Sequence, residues 1–366
     1  MFGQMKTKSL FIRIFCILVT SIIVVLLSNQ TPDFQHLVKE TNKHIGKLKN
    51  LNYAGPNVQE LQPELDEKYM RRLGFLPVPR LYPIDLPGNV TPPVVVTAVT
   101  SGSWKAAHGF ALSVRRHLAN STLVIYGVGL SPDDNYDLKT FCNCTYRKFQ
   151  FEDYPSHVSI LKLHAYRPII IQETLNEFGM VIYLDPSVRV TTPDIAPYLR
   201  RARASSVLAW KLPSALPTSA LTHEKMFTYF NTKRDSYYFH HMVEPRNLVA
   251  YNTEAVHQHV MLPWLQCALT PQCIAPIGAQ DTGCNFEHKP MYRYSGCHSY
   301  DASALNVVLG RLFKFNYGDY VGNETFFRPA RPGGDAVAGK QETSTVGGRP
   351  LVGGIVGRGG GGVTVN

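Results

Sequence analysis

The chain has no CxxC pair, no cluster of lysines and arginines in a nucleic-acid motif, no complete GxGxxG and no internal repeat. Without CxxC the usual zinc framework is missing. The 37 Lys and Arg outnumber the 27 Asp and Glu, giving a net charge of +10, but they are spread along the chain. That distribution excludes a nucleic-acid-binding protein. Gly127-Val128-Gly129 follows the second apolar run and lacks a third glycine, which disfavours a dinucleotide or methyl-donor site. Charged residues are only 17% of the chain, while 44% is hydrophobic and 11% aromatic. That balance builds a substantial core and confines disorder to local stretches.

One long apolar run is present, Leu10 to Leu27, interrupted only by Arg13, Thr20 and Ser21. It is just long enough to cross a bilayer. Lys6, Lys8 and Arg13 lie at its N-terminal end, and Ser28, Asn29 and Asp33 follow it. The positive-inside rule therefore predicts a cytosolic N-terminus and a lumenal remainder. A cleaved signal peptide is the competing reading, but no small-x-small site follows Leu27. Sequons begin at Asn29, Asn89, Asn120, Asn143 and Asn323, in keeping with the secretory pathway. Cys16 lies in the apolar run. Cys142, Cys144, Cys267, Cys273, Cys284 and Cys297 remain, enough for up to three disulfides whose pairing stays open. A basic surface suits anionic substrates such as nucleotide diphosphates or acidic glycans, although the Arg200, Arg201 and Arg203 cluster reads as a solvated helix face.

The pattern divides the chain into a cytosolic tail (1–9), an anchor (10–27), a stem (28–92), a folded domain (93–326) and a tail (327–366). The stem ends in a proline-rich spacer. Glycine supplies 12 of the last 36 residues without a collagen period, which predicts disorder. Within the domain, strands are expected at 93–100, 121–127, 146–151, 180–185, 206–211 and 247–252. Helices are expected at 104–118 behind Ser103, at 156–178 with a break before Pro168, from about 194, at 221–230, from Thr253 towards Leu269, and at 302–313. This alternation predicts an α/β fold with a mainly parallel sheet flanked by helices.

The segment Met180-Val-Ile-Tyr-Leu-Asp-Pro-Ser187 delivers one carboxylate, Asp185, to the end of a buried strand. That is where open α/β sheets hold ligands. An Asp there suits a divalent cation or a sugar hydroxyl, or it caps the turn made by Pro186 and Ser187. His298 beside Cys297 is a candidate metal ligand, or a structural histidine. Asp281, Glu152 and Asp153 lie in turns, where surface and Asx-turn roles compete with binding. Trp104 is expected in the core, and Thr253 as a helix cap.

Several segments together resemble an uncharacterised animal family of type II membrane proteins with a GT-A-like, nucleotide-diphospho-sugar transferase lumenal domain. They are Leu123–Ser131, Phe149–Pro155, Tyr166-Arg-Pro168, Val181–Asp185 and Tyr300–Asn306. The resemblance covers roughly residues 93–320 and is similar to Golgi glycosyltransferases in layout. It implies a Golgi membrane protein that moves a sugar from a nucleotide-sugar donor to a glycan or glycoprotein acceptor. It further implies donor contacts from Thr100 and Ser101, donor anchoring by Asp185, and Asp301 as a general base at a helix start, where a first-turn Asp is equally expected. Metal-dependent members of the fold carry Asp-x-Asp; this chain reads Asp185-Pro186-Ser187. One Asp with the Ser187 hydroxyl is a poor set for Mn or Mg. Three outcomes follow: a metal site completed elsewhere, a metal-independent transferase using basic residues such as Arg189, or a non-catalytic lumenal binding or scaffold protein. A methyltransferase is a third reading, disfavoured by the missing glycine loop.

Overall fold

The computed structural model describes residues 19, 65–79, 81–82, 93–287 and 289–331. The anchor at 10–27 (save residue 19), the stem up to residue 64, Asn29, Asn89 and the chain beyond 331 lie outside them. Among the described residues no helix is long and apolar enough to cross a membrane.

The first element, α1 (Glu67–Arg72), starts on Asp66, whose side chain accepts the Lys68 N–H at 2.9 Å, a standard N-cap. Strand β1 (Val94–Val99) is buried at all six residues. Helix α2 (Trp104–His117) and β2 (Thr122–Gly127) follow. Helix α3 (Pro132–Phe141) has no counterpart in the sequence expectation. Only Leu138 of it is buried, so it carries almost no apolar periodicity. Its available signal is at the start: Ser131 caps the Asp134 N–H, Pro132 opens the first turn, and Asp133 and Asp134 suit the dipole.

Strand β3 (Thr145–Lys148) is followed by 3-10 turns reaching Leu163, then by α4 (Tyr166–Phe178). Pro168 sits in the first turn of α4, where no N–H is required. Gly179 closes α4 with φ +77°, the left-handed conformation that glycine adopts freely. Next come β4 (Met180–Leu184), β5 (Val188–Val190), α5 (Ala196–Ser205), β6 (Val207–Lys211), α6 (Glu224–Tyr229) and β7 (Val243–Tyr251). The chain continues through α7 (Glu254–Val256), a π-helical turn (His257–Met261), α8 (Leu262–Ala268), α9 (Pro271–Ile274), α10 (Tyr300–Leu312), β8 (Val321–Gly322) and β9 (Phe327–Pro329). Thr253 caps α7 through the Val256 N–H, as expected.

The central sheet has seven strands in the order β3-β2-β1-β4-β7-β6-β8. Strand β1 is parallel to β2 and β4, β2 to β3, and β6 to β8; β7 is antiparallel to β4 and β6. The expected mixed α/β architecture with a mostly parallel sheet is therefore present. Side chains alternate across β1: Val94, Val96 and Ala98 join a core with α4, α8 and α10, whereas Val95 and Val99 join a second core with α2 and α5. Helices thus cover both faces.

The packed unit exceeds the expected 93–326 at both ends. Leu73 and Phe75 are buried in the first core, and the Leu73 carbonyl accepts from Gln172 at 3.1 Å and Asn176 at 2.6 Å. Tyr82 donates its N–H to the Asn252 carbonyl at 2.8 Å. Residues assigned to the stem, Tyr82 of its spacer among them, are therefore a strap bound to the domain. At the other end β9 pairs antiparallel with β5. Arg200 and Arg201 are exposed, as expected of a solvated helix face, and the Arg201 guanidinium also donates to the carbonyls of Gly318 and Val321, tying α5 to the start of β8. The six cysteines pair as Cys142–Cys144, Cys267–Cys273 and Cys284–Cys297.

Candidate functional site

From β1 the chain moves outward to β2 and β3, then returns on the opposite side of β1 as β4. Strand order reverses there, and the crevice outside the carboxyl ends of such a strand pair is the usual ligand position in α/β sheets. Thr100 and Ser101 end β1, and Asp185 ends β4. The β1 turn is closed on itself: the Thr100 N–H donates to Ser103 Oγ at 2.9 Å, and the Ser103 N–H to the Thr100 carbonyl at 2.9 Å. Ser103 occupies the N-cap position of α2, yet its hydroxyl makes no cap bond. Ser101 is exposed.

Asp185 is partly exposed. Its Oδ1 accepts the Ser187 N–H at 2.9 Å and the Ser187 hydroxyl at 2.5 Å. The backbone N–H of Asp185 donates to Asn247 Oδ1 at 3.2 Å. This is an Asx turn, and both side-chain bonds fall on one oxygen. Arg189 serves neither a diphosphate nor solvent. It is 8% exposed and donates to the carbonyls of Pro186 at 2.9 Å and Val188 at 2.8 Å. Its guanidinium lies against Gly109 of α2, where an added Cβ would stand 2.6 Å from Nη2. Glycine there permits the close approach, and Arg189 braces the Asp185 turn from behind.

A cleft of about 330 Å³ is lined by His164, Arg167, Glu244, Arg246, Tyr300 and Asp301 among others. Asp185, Thr100 and Ser101 do not line it, but the Asp185 charge acts on His164 and Arg167 of its wall. Arg246 lies one step beyond the Leu184–Asn247 register pair of β4 and β7, the position facing Asp185. Two roomier hollows, about 440 and 500 Å³, lie elsewhere and hold none of the six residues named on this wall. Two non-glycine residues on the cleft wall, His164 at φ +52° and Tyr300 at φ +45°, adopt the left-handed conformation. Such backbone costs energy and collects at functional sites.

Asp301 is 1% exposed and forms an ion pair with Arg167, itself 4% exposed. The Asp301 carbonyl accepts the Trp264 indole N–H at 3.0 Å. Burial lifts the Asp301 carboxyl to about 6, against the pull of Arg167. Burial opposes the Arg167 charge, but Asp301 and its neighbours hold that charge in place. Asp301 is thus one half of a buried pair rather than an open base, and acting as a base would require the pair to part. His164 is driven down to about 3, first by burial and then by Arg167, with Asp185 opposing. It is a neutral imidazole at neutral pH, and its Nδ1 is 3.0 Å from the Tyr166 hydroxyl.

His298 is also buried. Its Nδ1 accepts the His223 N–H at 3.1 Å, so Nε2 is the donor to the Ile274 carbonyl at 3.1 Å. Burial lowers it to about 4. With both ring nitrogens engaged within the chain, it takes the structural one of its two expected roles. Among the described residues no group of three or more His, Cys, Asp or Glu is placed to hold a metal ion. Asp185, Ser187 and His298 therefore do not fit Mn or Mg, which demand several oxygen ligands. Asp281 lines the cleft and lies 3.8 Å from Lys162 in an exposed pair. Asp153 pairs with Arg72 of the strap. Asn120, Asn143 and Asn323 are all exposed.

Sequence reasoning gave no role to His164, Arg167 or Arg246. Arg167 had a readable signal, a lone cation at the head of the apolar run Pro168-Ile-Ile-Ile171. A charge inside such a run is buried and needs a partner.

A family profile described as "Protein of unknown function (DUF1647)" matches residues 84–172, less than half of the chain. No curated protein matches. Among solved structures, the WbbM bifunctional glycosyltransferase in its apo form is 13% identical over 61% of this chain and 38% of its own length, with a TM-score of 0.38. Core-mannan synthase A of Aspergillus fumigatus, in a Mn/GDP form, is 8% identical over 63% of this chain and 75% of its own, with a TM-score of 0.35. Mouse xyloside xylosyltransferase 1, apo, is 12% identical over 63% and 84%, with a TM-score of 0.34. The chain spans well under two thirds of the WbbM structure. At these TM-scores the likeness carries no functional argument.

Proposed function

We propose that the protein is a metal-independent glycosyltransferase that moves a sugar from a nucleotide-sugar donor to a glycan or glycoprotein hydroxyl. The observation that carries the reading is the position of Asp185 at the end of β4, with Arg246 opposite it in the β4–β7 register and on the wall of a cleft that also holds His164 and Tyr300 in left-handed backbone. In the reaction the acceptor oxygen bonds to the anomeric carbon. The bond from that carbon to the diphosphate breaks, and the nucleoside diphosphate leaves with the electron pair. Arg246, whose side chain is 49% exposed and ion-paired with Glu244 at 2.8 Å, is the cation that would turn to the departing diphosphate. Asp185 holds a donor hydroxyl through its second oxygen. Thr100 and Ser101 lie where the nucleotide would rest. The acceptor proton passes to solvent or to Asp301 once its pair with Arg167 opens.

The same reading places the domain in the Golgi lumen behind the anchor at 10–27. Three disulfides and three exposed sequons support an oxidising, glycosylating compartment. One observation favours a second reading, a non-catalytic lumenal binding protein: the carboxylates of Asp185 and Asp301 both already have partners within the chain.

The test is an intrinsic-fluorescence melt of the full-length protein in detergent micelles, with UDP, GDP, CMP and their sugar conjugates, with and without Mn. A ligand present at 100 times its Kd stabilises by about 2.7 kcal/mol. The expected result is a rise with one nucleotide class, independent of Mn, abolished in Asp185→Ala and Arg246→Ala. No rise with any nucleotide, from a protein that melts cooperatively, would sink the transferase reading and leave the binding protein.

A further inference from the structure

Beyond the cleft, one surface carries an exposed phenylalanine beside two half-buried tyrosines. Phe239 is 85% exposed and Met291 47% exposed. Tyr238 and Tyr292 stack at 4.2 Å with an interplanar angle of 17°, and Phe239 meets Tyr292 edge-on at 6.3 Å. The rings are held in place. Neighbouring Tyr237 is fully buried, and its hydroxyl donates to the Val307 carbonyl at 3.1 Å. The Tyr292 carbonyl accepts the Ser219 hydroxyl at 2.9 Å.

The patch and the cleft share a chain segment. After Tyr292 the chain runs alongside residues 219–221: the Ser295 N–H donates to the Ala220 carbonyl, and the Ser299 N–H to the Leu221 carbonyl, each at 2.9 Å. Leu221 and Ser299 both line the cleft, as does Phe286. Phe286, Met291 and Tyr292 all belong to the loop that the Cys284–Cys297 disulfide closes. One covalently closed loop thus carries both part of the cleft wall and one ring of the platform, Tyr292.

We propose that Tyr238, Phe239 and Tyr292 form an acceptor subsite that stacks the C–H face of a neutral sugar unit, one or more residues back from the hydroxyl that enters the cleft. This rests on the transferase reading. Preordered rings bind flat, partly apolar ligands without losing much side-chain freedom. The three rings are uncharged, and the Arg234 guanidinium, 6.0 Å from the Tyr238 ring centre, is paired with Glu224 at 3.4 Å, so the platform has little net charge and suits a neutral oligosaccharide better than an anionic one. An exposed apolar patch of this kind marks a binding surface rather than a random exposure.

The test uses fluorescently labelled full-length protein in micelles on an array of immobilised neutral oligosaccharides of one to six sugar units. The wild type is expected to bind chains of two or more units. Phe239→Ala is expected to lose about tenfold in affinity for them, in line with the removal of one stacking ring. Its melting temperature and its nucleotide response are expected to stay as in the wild type, because Phe239 is on the surface. Tyr292→Ala repeats the loss. The inference is overturned if the wild type binds no oligosaccharide, or if Phe239→Ala binds them equally well. It is also overturned if Phe239→Ala abolishes adsorption to phosphatidylcholine vesicles without changing the array, since the platform would then serve a lipid surface. A nucleotide response without oligosaccharide binding sinks the platform alone. Phe239-dependent oligosaccharide binding without a nucleotide response keeps the platform and sinks the transferase.

Discussion

Arg167 and Asp301 lie 134 residues apart in sequence, and almost no water reaches either side chain. Asp301 was legible as an acidic residue at a helix start. Its partner was not, because the pairing exists only once α4 and α10 pack against the same sheet face. The pair explains why Asp301 is not the open base that its position suggested. Removing one member strands the other charge in the interior, which costs about 3–5 kcal/mol. Asp301→Ala is therefore expected to lose that much in urea unfolding. Replacing both members with apolar residues, Arg167→Met with Asp301→Leu, is expected to lose clearly less than the two single changes summed, and the double-mutant cycle reads the coupling directly. Single changes costing under about 1 kcal/mol would show that the pair does not hold the two helices together. Asp185 offers a finer distinction. Asn at 185 keeps an oxygen for the Ser187 bonds and loses only the charge, so Asp185→Asn should melt like wild type and still lose the nucleotide response.

Elements with continuous apolar runs were legible almost to the residue. Strands β1, β2, β4 and β6 and helices α2 and α10 each carry enough buried side chains to outweigh local preference. Elements held mainly by their ends or by long-range bonds were not. Helix α3 buries one residue, and α1 buries none. The strap from α1 onward was hidden by its prolines, which read as a spacer although Leu73 and Phe75 beside them are core residues. The contrast is measurable within a few positions. Leu73 is fully buried and Val78 is 81% exposed. Leu73→Ala is expected to cost about 2–5 kcal/mol, the range for a buried Leu, while Val78→Ala stays within about 0.5 kcal/mol of wild type. Equal effects in urea unfolding would mean that the strap is not part of the cooperative unit.

The alternation of strands and helices made the α/β architecture legible for the whole molecule. The reversal of β7 was not, because an antiparallel strand buried on both faces reads like a parallel one. That reversal brings Glu244 and Arg246 to the carboxyl end of β4, so the missed Arg246 and the missed strand direction have one cause. The exposed sequons test the lumenal topology at this scale. In a secretory host, Asn120→Gln, Asn143→Gln and Asn323→Gln should each lower the apparent mass by one glycan step, and no step at any of them would exclude lumenal exposure of the domain.

The distribution of buried imidazoles sets the acid response of the fold. His164 is lowered to about 3, and His240, His257 and His298 to about 4, in each case chiefly by burial. Each is near 6.5 in the unfolded chain. Between pH 6.5 and about 4 the unfolded chain therefore binds protons that the native state refuses, and stability falls as pH falls, by about 1.4 kcal/mol per pH unit for each such proton. These contributions are fully present above pH 6.5. Asp301 acts in the opposite sense. Its raised carboxyl binds a proton in the native state near pH 4 to 6 that the unfolded chain has released, so its contribution is present at low pH and lost as pH rises through about 6. One carboxyl offsets at most one imidazole, and the four histidines prevail. The melting temperature of the full-length protein is expected to be flat above pH 7 and to drop steeply from pH 6 to 5. His240 accounts for one of the protons: its Nε2 is 2.7 Å from the Tyr320 hydroxyl and its Nδ1 3.0 Å from Thr218 Oγ1. A glutamine there keeps hydrogen-bonding capacity and cannot titrate. His240→Gln should therefore shallow the slope by one proton while leaving the pH 7.5 melt within a few degrees of wild type. An unchanged slope would mean that His240 titrates normally in the native state, and that the aromatic cluster around it admits water.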